Sequence, residues 1–271
     1  MASRQVLSIS SQVAAGPVGN SAIVPALLAL GVTPIAIPTI VLSNHPGHGK
    51  PEGFPVPGEK LTQMLQRLIA LDFLKDDAVV LTGYFANVEQ IDAVSTFLAT
   101  LRRSHYLCDP ILGDTHKGLY VTDSLAGAIR DRLVPMADSL TPNAFELGWL
   151  TGHEVHDFSS ARQACGPLAG KSVVVTSIPE GAKLTTALFE GRMSSTITRP
   201  KQAQVPHGTG DLLSGLLAGR LALGHSLGDS LGFAVAATEH VIAASAGTAS
   251  LDLASGLKAI ASITSFAVSH E

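Results

Sequence analysis

The chain has 271 residues, 46% of them hydrophobic and 15% charged, which excludes a disordered or low-complexity protein. Two distant cysteines, Cys108 and Cys165, exclude a disulfide framework or a Cys-rich zinc site and suit a reducing compartment. With 18 Lys plus Arg against 22 Asp plus Glu, the net charge of −4 supplies no global positive field to gather nucleic acid or an anionic membrane.

The opening residues, MASRQVLSIS, have no long apolar core followed by a small-residue cleavage site, so a cytoplasmic location is expected. An apolar strand-like run covers 6–9. Residues 22–42 then continue for 21 positions without a charge, a transmembrane length. Pro25, Gly31, Pro34 and Pro38 interrupt that run, and its composition changes midway from Ala/Leu-rich to Val/Ile/Thr-rich. The reading is therefore two buried elements, a helix over 19–30 and a strand over 33–42, joined at Gly31. Residues 46–58 hold 4 Pro and 4 Gly among 13 positions, and are expected to be a mobile active-site loop.

Strand-like runs return at 78–81, 106–108 and 173–176, between helical patterns. Continuous apolarity in VVL (79–81) and VVVT (173–176) fits strands covered on both faces. Segments 183–189 and 193–198 predict an antiparallel pair turning at Glu190-Gly191, and helices follow over 209–223 and 230–246. In the first of these, Leu212, Leu213, Leu216, Leu217 and Leu221 predict one apolar stripe facing a sheet. The alternation predicts an α/β protein of three layers, a mostly parallel central sheet with helices on both faces, in one domain over 1–271.

The candidate chemistry lies where strands end and helices begin. Ser10-Ser11-Gln12 follows the first strand, and Gly16 and Gly19 permit a tight turn into the first helix. His45 and His48 open the Pro/Gly-rich loop, and the lack of a compact third ligand argues against a metal pair. Asp109 and Asp114 lie beyond a strand end, where open parallel sheets bind ligands. Asn143 and Glu146 have the spacing of a helix capping box, and are equally oxygen ligands suited to Mg²⁺ or its waters. His207-Gly208-Thr209-Gly210-Asp211 opens directly into a helix, whose free N–H groups attract anions. Asp211 there serves equally well as a charge favoured by the helix dipole or as a catalytic base. His105, His116, His153 and His156 read as solvated, and Cys165 as a small buried residue.

Taken in order, SISSQVAAGPVGNSA (8–22), TIVLSNH (39–45), LTGYF (81–85), CDPILGD (108–114), LTPNAFELGWLTG (140–152), VVVTS (173–177) and HGTGDLLSGLL (207–217) resemble the pyridoxal kinase family of the ribokinase superfamily. The resemblance covers about residues 5–245. It implies a ribokinase-like fold and transfer of the ATP γ-phosphoryl group to the 5′-hydroxymethyl of a vitamin B6 vitamer. It implies that Asp211 takes the hydroxyl proton and that Gly208, Thr209 and Gly210 form the anion hole. Asp109, Asp114, Thr141, Asn143 and Glu146 match positions around the ATP phosphates and metal. Asp109, Asp114 and Glu146 would serve Mg²⁺ directly or through water, beside an activating K⁺ or Na⁺. Thr176 and Ser177 match nucleotide contacts, while Ser11, His45 and Tyr84 match contacts to the pyridine ring. A homodimer, small-molecule substrates only, and no nucleic-acid or membrane partner are further implications.

Gln12, Ala14, Ala15, Pro17 and Pro46 depart from the family pattern, all on the vitamer side. A hydroxymethylpyrimidine kinase of the same superfamily and a non-catalytic B6-binding homologue are the alternatives. The SNH and TGY blocks favour the pyridoxal side over the first, and the intact Gly-Thr-Gly-Asp and Asn-x-x-Glu sets argue against the second.

Overall fold

The computed structural model describes residues 4–202 and 204–270. Strand β1 (Gln5–Ala15), helix α1 (Asn20–Ala29), β2 (Thr33–Asn44), β3 (Gly53–Pro55), α2 (Gly58–Ala70), β4 (Val79–Thr82), α3 (Val88–Thr100) and β5 (His105–Cys108) form the first half. A small hairpin follows, β6 (Gly113–Asp114) and β7 (Gly118–Leu119), then α4 (Asp123–Ala128), β8 (Ser139–Leu140), α5 (Ala144–Thr151) and α6 (Phe158–Ala164). The chain continues with β9 (Ser172–Glu180), β10 (Lys183–Glu190), β11 (Met193–Pro200), α7 (Thr209–Ala222), α8 (Leu227–Ala244), α9 (Leu253–Gly256) and β12 (Ser269–His270).

The main sheet has the order β12-β11-β10-β9-β8-β5-β4-β1-β2-β3. Pairs from β2 through β1, β4, β5 and β8 to β9 are parallel, while β3 and the β10–β12 strands attach antiparallel at the two edges. Side-chain alternation explains the continuously apolar runs: Leu7 and Val80 enter one core with α2, α3, α5 and α6, whereas Val6, Val79 and Leu81 enter a second with α1, α7 and α8. Helices therefore cover both faces, the expected three-layer, ribokinase-like arrangement.

The uncharged run becomes α1 and β2, and among the described residues no helix is long and apolar enough to cross a membrane. Several boundaries differ from expectation. A register shift between Ser10 and Gln12 lets β1 continue to Ala15 along β2, so the polar Ser10-Ser11-Gln12 group lies inside a strand. Helix α7 is buried nearly all round from Leu212 to Gly219 instead of along one stripe, because α1 and α8 pack on its far side. Glycines make the α1 approach possible: a Cβ on Gly219 would stand 2.6 Å from Leu30 Cδ1, and one on Gly215 3.1 Å from Ile23 Cα. Helix α8 begins at Leu227, where the Ser226 hydroxyl accepts from Asp229 N at 3.1 Å.

The Pro/Gly-rich segment is only partly a loop. After a short helical turn at Pro46–His48, β3 pairs with the free edge of β2, and Val56 N donates to Thr39 O at 2.8 Å. His105 is half-buried at the start of β5 with Nε2 2.7 Å from Ser139 Oγ, not solvated, and Cys165 is half-buried at the end of α6.

Candidate active site

The parallel strands deliver their C-terminal residues to one edge of the sheet, and α7 points its N-terminus there. A cavity of about 480 Å³ opens at that edge. Ser11 from β1, His45 after β2, Tyr84 after β4, and Gly208 and Asp211 at the start of α7 all line it. Val13, Val18, Leu42 and Ile111 supply apolar wall.

Two glycine turns meet beneath the cavity. Gly208 has φ 96°, and a Cβ there would lie 2.1 Å from Pro17 O. Gly19 has φ 57°, and its Cβ would meet Ser11 Oγ at 2.2 Å. Close approach of these backbones places the bare N-terminus of α7 at the cavity, with no side chain capping it. Asp211 Oδ1 is buried without a hydrogen-bond partner. Burial pushes the Asp211 carboxyl up to about 6, although the Gly19 and Asp211 amides pull the other way.

Asp109 lies within reach of the charges of Asp211 and Glu146, and neither Asp109 nor Glu146 lines the cavity. Ser214 Oγ donates to Asp109 Oδ2 at 2.8 Å and stands 3.0 Å from Thr141 Oγ1. Burial, then the charges of Glu146 and Asp211, hold the Asp109 carboxyl well above the usual carboxylate range. Asn143 and Glu146 form the expected capping box: Asn143 Oδ1 accepts from Glu146 N at 3.0 Å and Glu146 Oε2 from Asn143 N at 2.9 Å. Glu146 does more than cap. Its Oε1 accepts from Leu112 N at 2.9 Å, with Gly113 N at 3.4 Å, and Asn143 Nδ2 donates to Gly113 O at 2.9 Å. Burial pushes Glu146 up to about 7.

Asp114 is engaged within the β6–β7 hairpin, Oδ1 accepting from His116 N at 2.7 Å and Lys117 N at 2.8 Å, and Oδ2 accepting from Tyr120 OH. Asp114 lies within reach of the Glu146 charge, and Glu146 within reach of Asp109, yet the three carboxyls expected together around Mg²⁺ do not meet around one point. Among the described residues no group of three or more His, Cys, Asp or Glu side chains is placed to hold a metal ion. Direct ligation by all three at once is thereby corrected. The unpartnered Asp211 Oδ1 beside two buried carboxyls that repel one another fits a divalent cation brought in with an anionic ligand.

Thr176 and Ser177 lie away from the cavity lining, on β9. Thr176 N donates to Pro142 O at 3.0 Å, and Ser177 holds the left-handed φ of 58°. Asn20 is spent internally, accepting from Ser8 Oγ at 2.6 Å and donating to Ser10 O and Ile37 O.

The histidines cluster at the cavity mouth, with His45 and His207 rings 4.3 Å apart and His48 6.1 Å from His45. His45 Nδ1 accepts from Gly47 N at 3.1 Å, which leaves the Nε2–H tautomer. Burial, then repulsion from His207 and His48, lowers His45 to about 4, so the imidazole is neutral at pH 7. Tyr84 is fixed by its backbone, its N–H donating to Ser10 Oγ at 3.1 Å and its carbonyl accepting from Thr39 Oγ1 at 2.7 Å.

Sequence reasoning gave no role to His207, Lys117 or Tyr120, all of which line the cavity. A lone cation three residues beyond Asp114 was the available pointer to Lys117. Of the five departures from the family pattern, only Pro46 lines the cavity. Gln12 turns to Ser21, its Nε2 donating to Ser21 Oγ at 2.9 Å, and Ala14 and Ala15 are exposed.

The family model described as phosphomethylpyrimidine kinase matches residues 16–254. A pyridoxine/pyridoxal/pyridoxamine kinase of Bordetella avium is 38% identical over 219 residues, 76% of this chain and 74% of that protein. The crystal structure of pyridoxal kinase from Entamoeba histolytica superposes with a TM-score of 0.90 at 28% identity, covering 98% of this chain and 99% of that one. Pyridoxal kinase from Leishmania donovani, in complex with ADP and pyridoxamine, gives a TM-score of 0.90 at 29% identity over 99% of both chains.

Proposed function

The chain belongs to the phosphomethylpyrimidine kinase family, among its pyridoxal kinases, and on that premise we propose that it transfers the γ-phosphoryl group of ATP to the 5′-hydroxymethyl group of a vitamin B6 vitamer. The observation that carries this reading is Asp211: a carboxylate with an unpartnered buried oxygen, at a bare helix N-terminus, in one cavity with Ser11, His45 and Tyr84.

Each residue has a physical task in that reaction. A carboxyl at about 6 is mostly ionised at pH 7, yet basic enough to take the hydroxyl proton as the oxygen attacks. The N–H groups of Gly208, Thr209 and Gly210 face the transferring phosphoryl and stabilise its equatorial oxygens. Tyr84 gives an aromatic wall to the flat ring, while Ser11 and the neutral His45 offer hydrogen bonds to its polar edge. Thr141, Asn143, Thr176 and Ser177 belong to the nucleotide side. Mg²⁺, held through water by Asp109 and Glu146, would neutralise phosphate charge; Asp114 orders the hairpin beside them. A monovalent cation, a homodimer, a cytoplasmic location and action of residues 1–271 as one catalytic domain complete the reading.

The test is ATP consumption with pyridoxal, pyridoxine, pyridoxamine and hydroxymethylpyrimidine in parallel. Turnover is expected with one or more of the three vitamers, exceeding that with hydroxymethylpyrimidine. A preference for the pyrimidine would support the second reading, which the matched family's description favours, and no turnover with any would refute both.

A further inference from the structure

The carboxyls of Asp109, Glu146 and Asp211 gather at a place where a kinase must also hold a nucleotide polyphosphate. Backbone amides provide partial charges only, so a full positive charge near the moving group has large leverage in a site of low dielectric. Among the described residues Lys117 is the one Lys or Arg that lines the cavity containing Asp211 and Gly208.

The hairpin that carries Lys117 is built to hold position. Gly113 and Gly118 approach so closely that a Cβ on Gly113 would lie 2.1 Å from Gly118 O. Asp114 accepts from Lys117 N at 2.8 Å and from Tyr120 OH, and Tyr120 N donates to Leu112 O at 2.7 Å. At the hairpin's base, Glu146 accepts from Leu112 N and Asn143 donates to Gly113 O, which ties it to the capping box of α5. The ammonium itself lies 5.9 Å from the Tyr120 ring centroid, and its charge reaches His45 and His207 across the cavity mouth.

We propose that Lys117 is a catalytic residue that pairs with the γ-phosphoryl oxygens of ATP, and that Asn143 and Glu146 position it through the β6–β7 hairpin. The inference rests on the kinase reading above. In the step it serves, the bond from the γ-phosphorus to the β,γ-bridging oxygen breaks and a bond from that phosphorus to the vitamer hydroxyl oxygen forms. The hydroxyl proton passes to Asp211, and Lys117 keeps its protons throughout.

The experiment compares the full-length protein with Lys117→Met and Lys117→Arg. Binding of a non-hydrolysable ATP analogue with an intact γ-phosphate and of ADP is measured by calorimetry in Mg²⁺, alongside kcat and the vitamer KM. A charge-assisted hydrogen bond to phosphate corresponds to about a ten- to hundredfold effect. Lys117→Met should therefore weaken the ATP analogue at least about tenfold, leave ADP and the vitamer KM within about twofold, and lower kcat about a hundredfold. Lys117→Arg should recover most of both losses. Equal weakening of ADP, a change confined to the vitamer KM, or an unchanged kcat would overturn the inference. Turnover by the unmutated protein in the same assay decides the kinase reading separately, and the comparison of the two nucleotides stands without any vitamer present.

Discussion

Asp211→Asn should make the protein inactive and more heat-stable at once, with a stability gain that depends on pH. Burial lifts the Asp211 carboxyl from 3.8 to about 6, so the folded protein resists the ionisation that the unfolded chain allows freely. Below about pH 3.8 the group is protonated in both states and costs nothing. As pH rises through about 6 the folded state ionises too, and folding then carries the whole difference, about 3 kcal/mol. Asparagine keeps the shape and an acceptor oxygen for the Gly19 amide, and replaces the unpartnered oxygen with an amide free of charge. Roughly 2–4 °C per kcal/mol for a chain of this size gives about 6–12 °C at pH 7.5, shrinking toward zero by pH 4. Thermal unfolding of both proteins at pH 4, 6 and 7.5, with ATP consumption at 7.5, measures this. A pH-independent gain, no gain, or near-normal turnover would refute the assignment of Asp211 as a base kept reactive at the expense of the fold.

Other expectations follow from the same geometry. Glu146→Ala orphans the amides of Leu112, Gly113 and Asn143, so thermal unfolding should show a loss of at least about 2 kcal/mol, and an Mg²⁺ titration should need more metal. Lower stability with an unchanged titration would reduce Glu146 to a helix cap. Gly208→Ala forces a Cβ to 2.1 Å from Pro17 O at φ 96° and should cost about 1–3 kcal/mol. Gly210→Ala, with nothing within 4 Å of the new Cβ, should unfold within about 1 kcal/mol of the parent. In the pH profile of kcat/KM the acidic side is expected to follow Asp211 near 6 and Glu146 near 7, with no contribution from His45, which is neutral down to about 4. A limb between pH 5 and 8 that disappears in His45→Asn would contradict this.

Sequence alone located the sheet strands because their hydrophobicity is local: VVL and VVVT are apolar on both faces wherever the chain goes. Ser11, His45 and Tyr84 are marked by the family resemblance of their sequence blocks, and Gly208 and Asp211 also by a glycine-rich helix start, whose spacing survives in one dimension. What the sequence missed depends on contacts across the fold. Only tertiary packing reveals that α7 is enclosed nearly all round from Leu212 to Gly219, since the residues covering its far face come from α1 and α8. The reach of Glu146 to Leu112, 34 positions away, has no local pattern. The same holds for Gly53–Pro55, whose pairing with β2 turns part of a Pro/Gly-rich loop into an edge strand. Lys117 reads as one more solvated cation until the hairpin places it at the cavity.

The enclosure of α7 also divides the site by local opening energy. Asp211 projects from the N-terminal turn of a helix whose amides can exchange with solvent only when much of the molecule comes apart. The His45–His48 turn lies on a short surface segment, which opens at far lower cost. The base therefore behaves as a fixed post beside a more easily opened histidine turn. Hydrogen exchange should be slowest along α7, and nucleotide and vitamer together should slow it mainly in that turn.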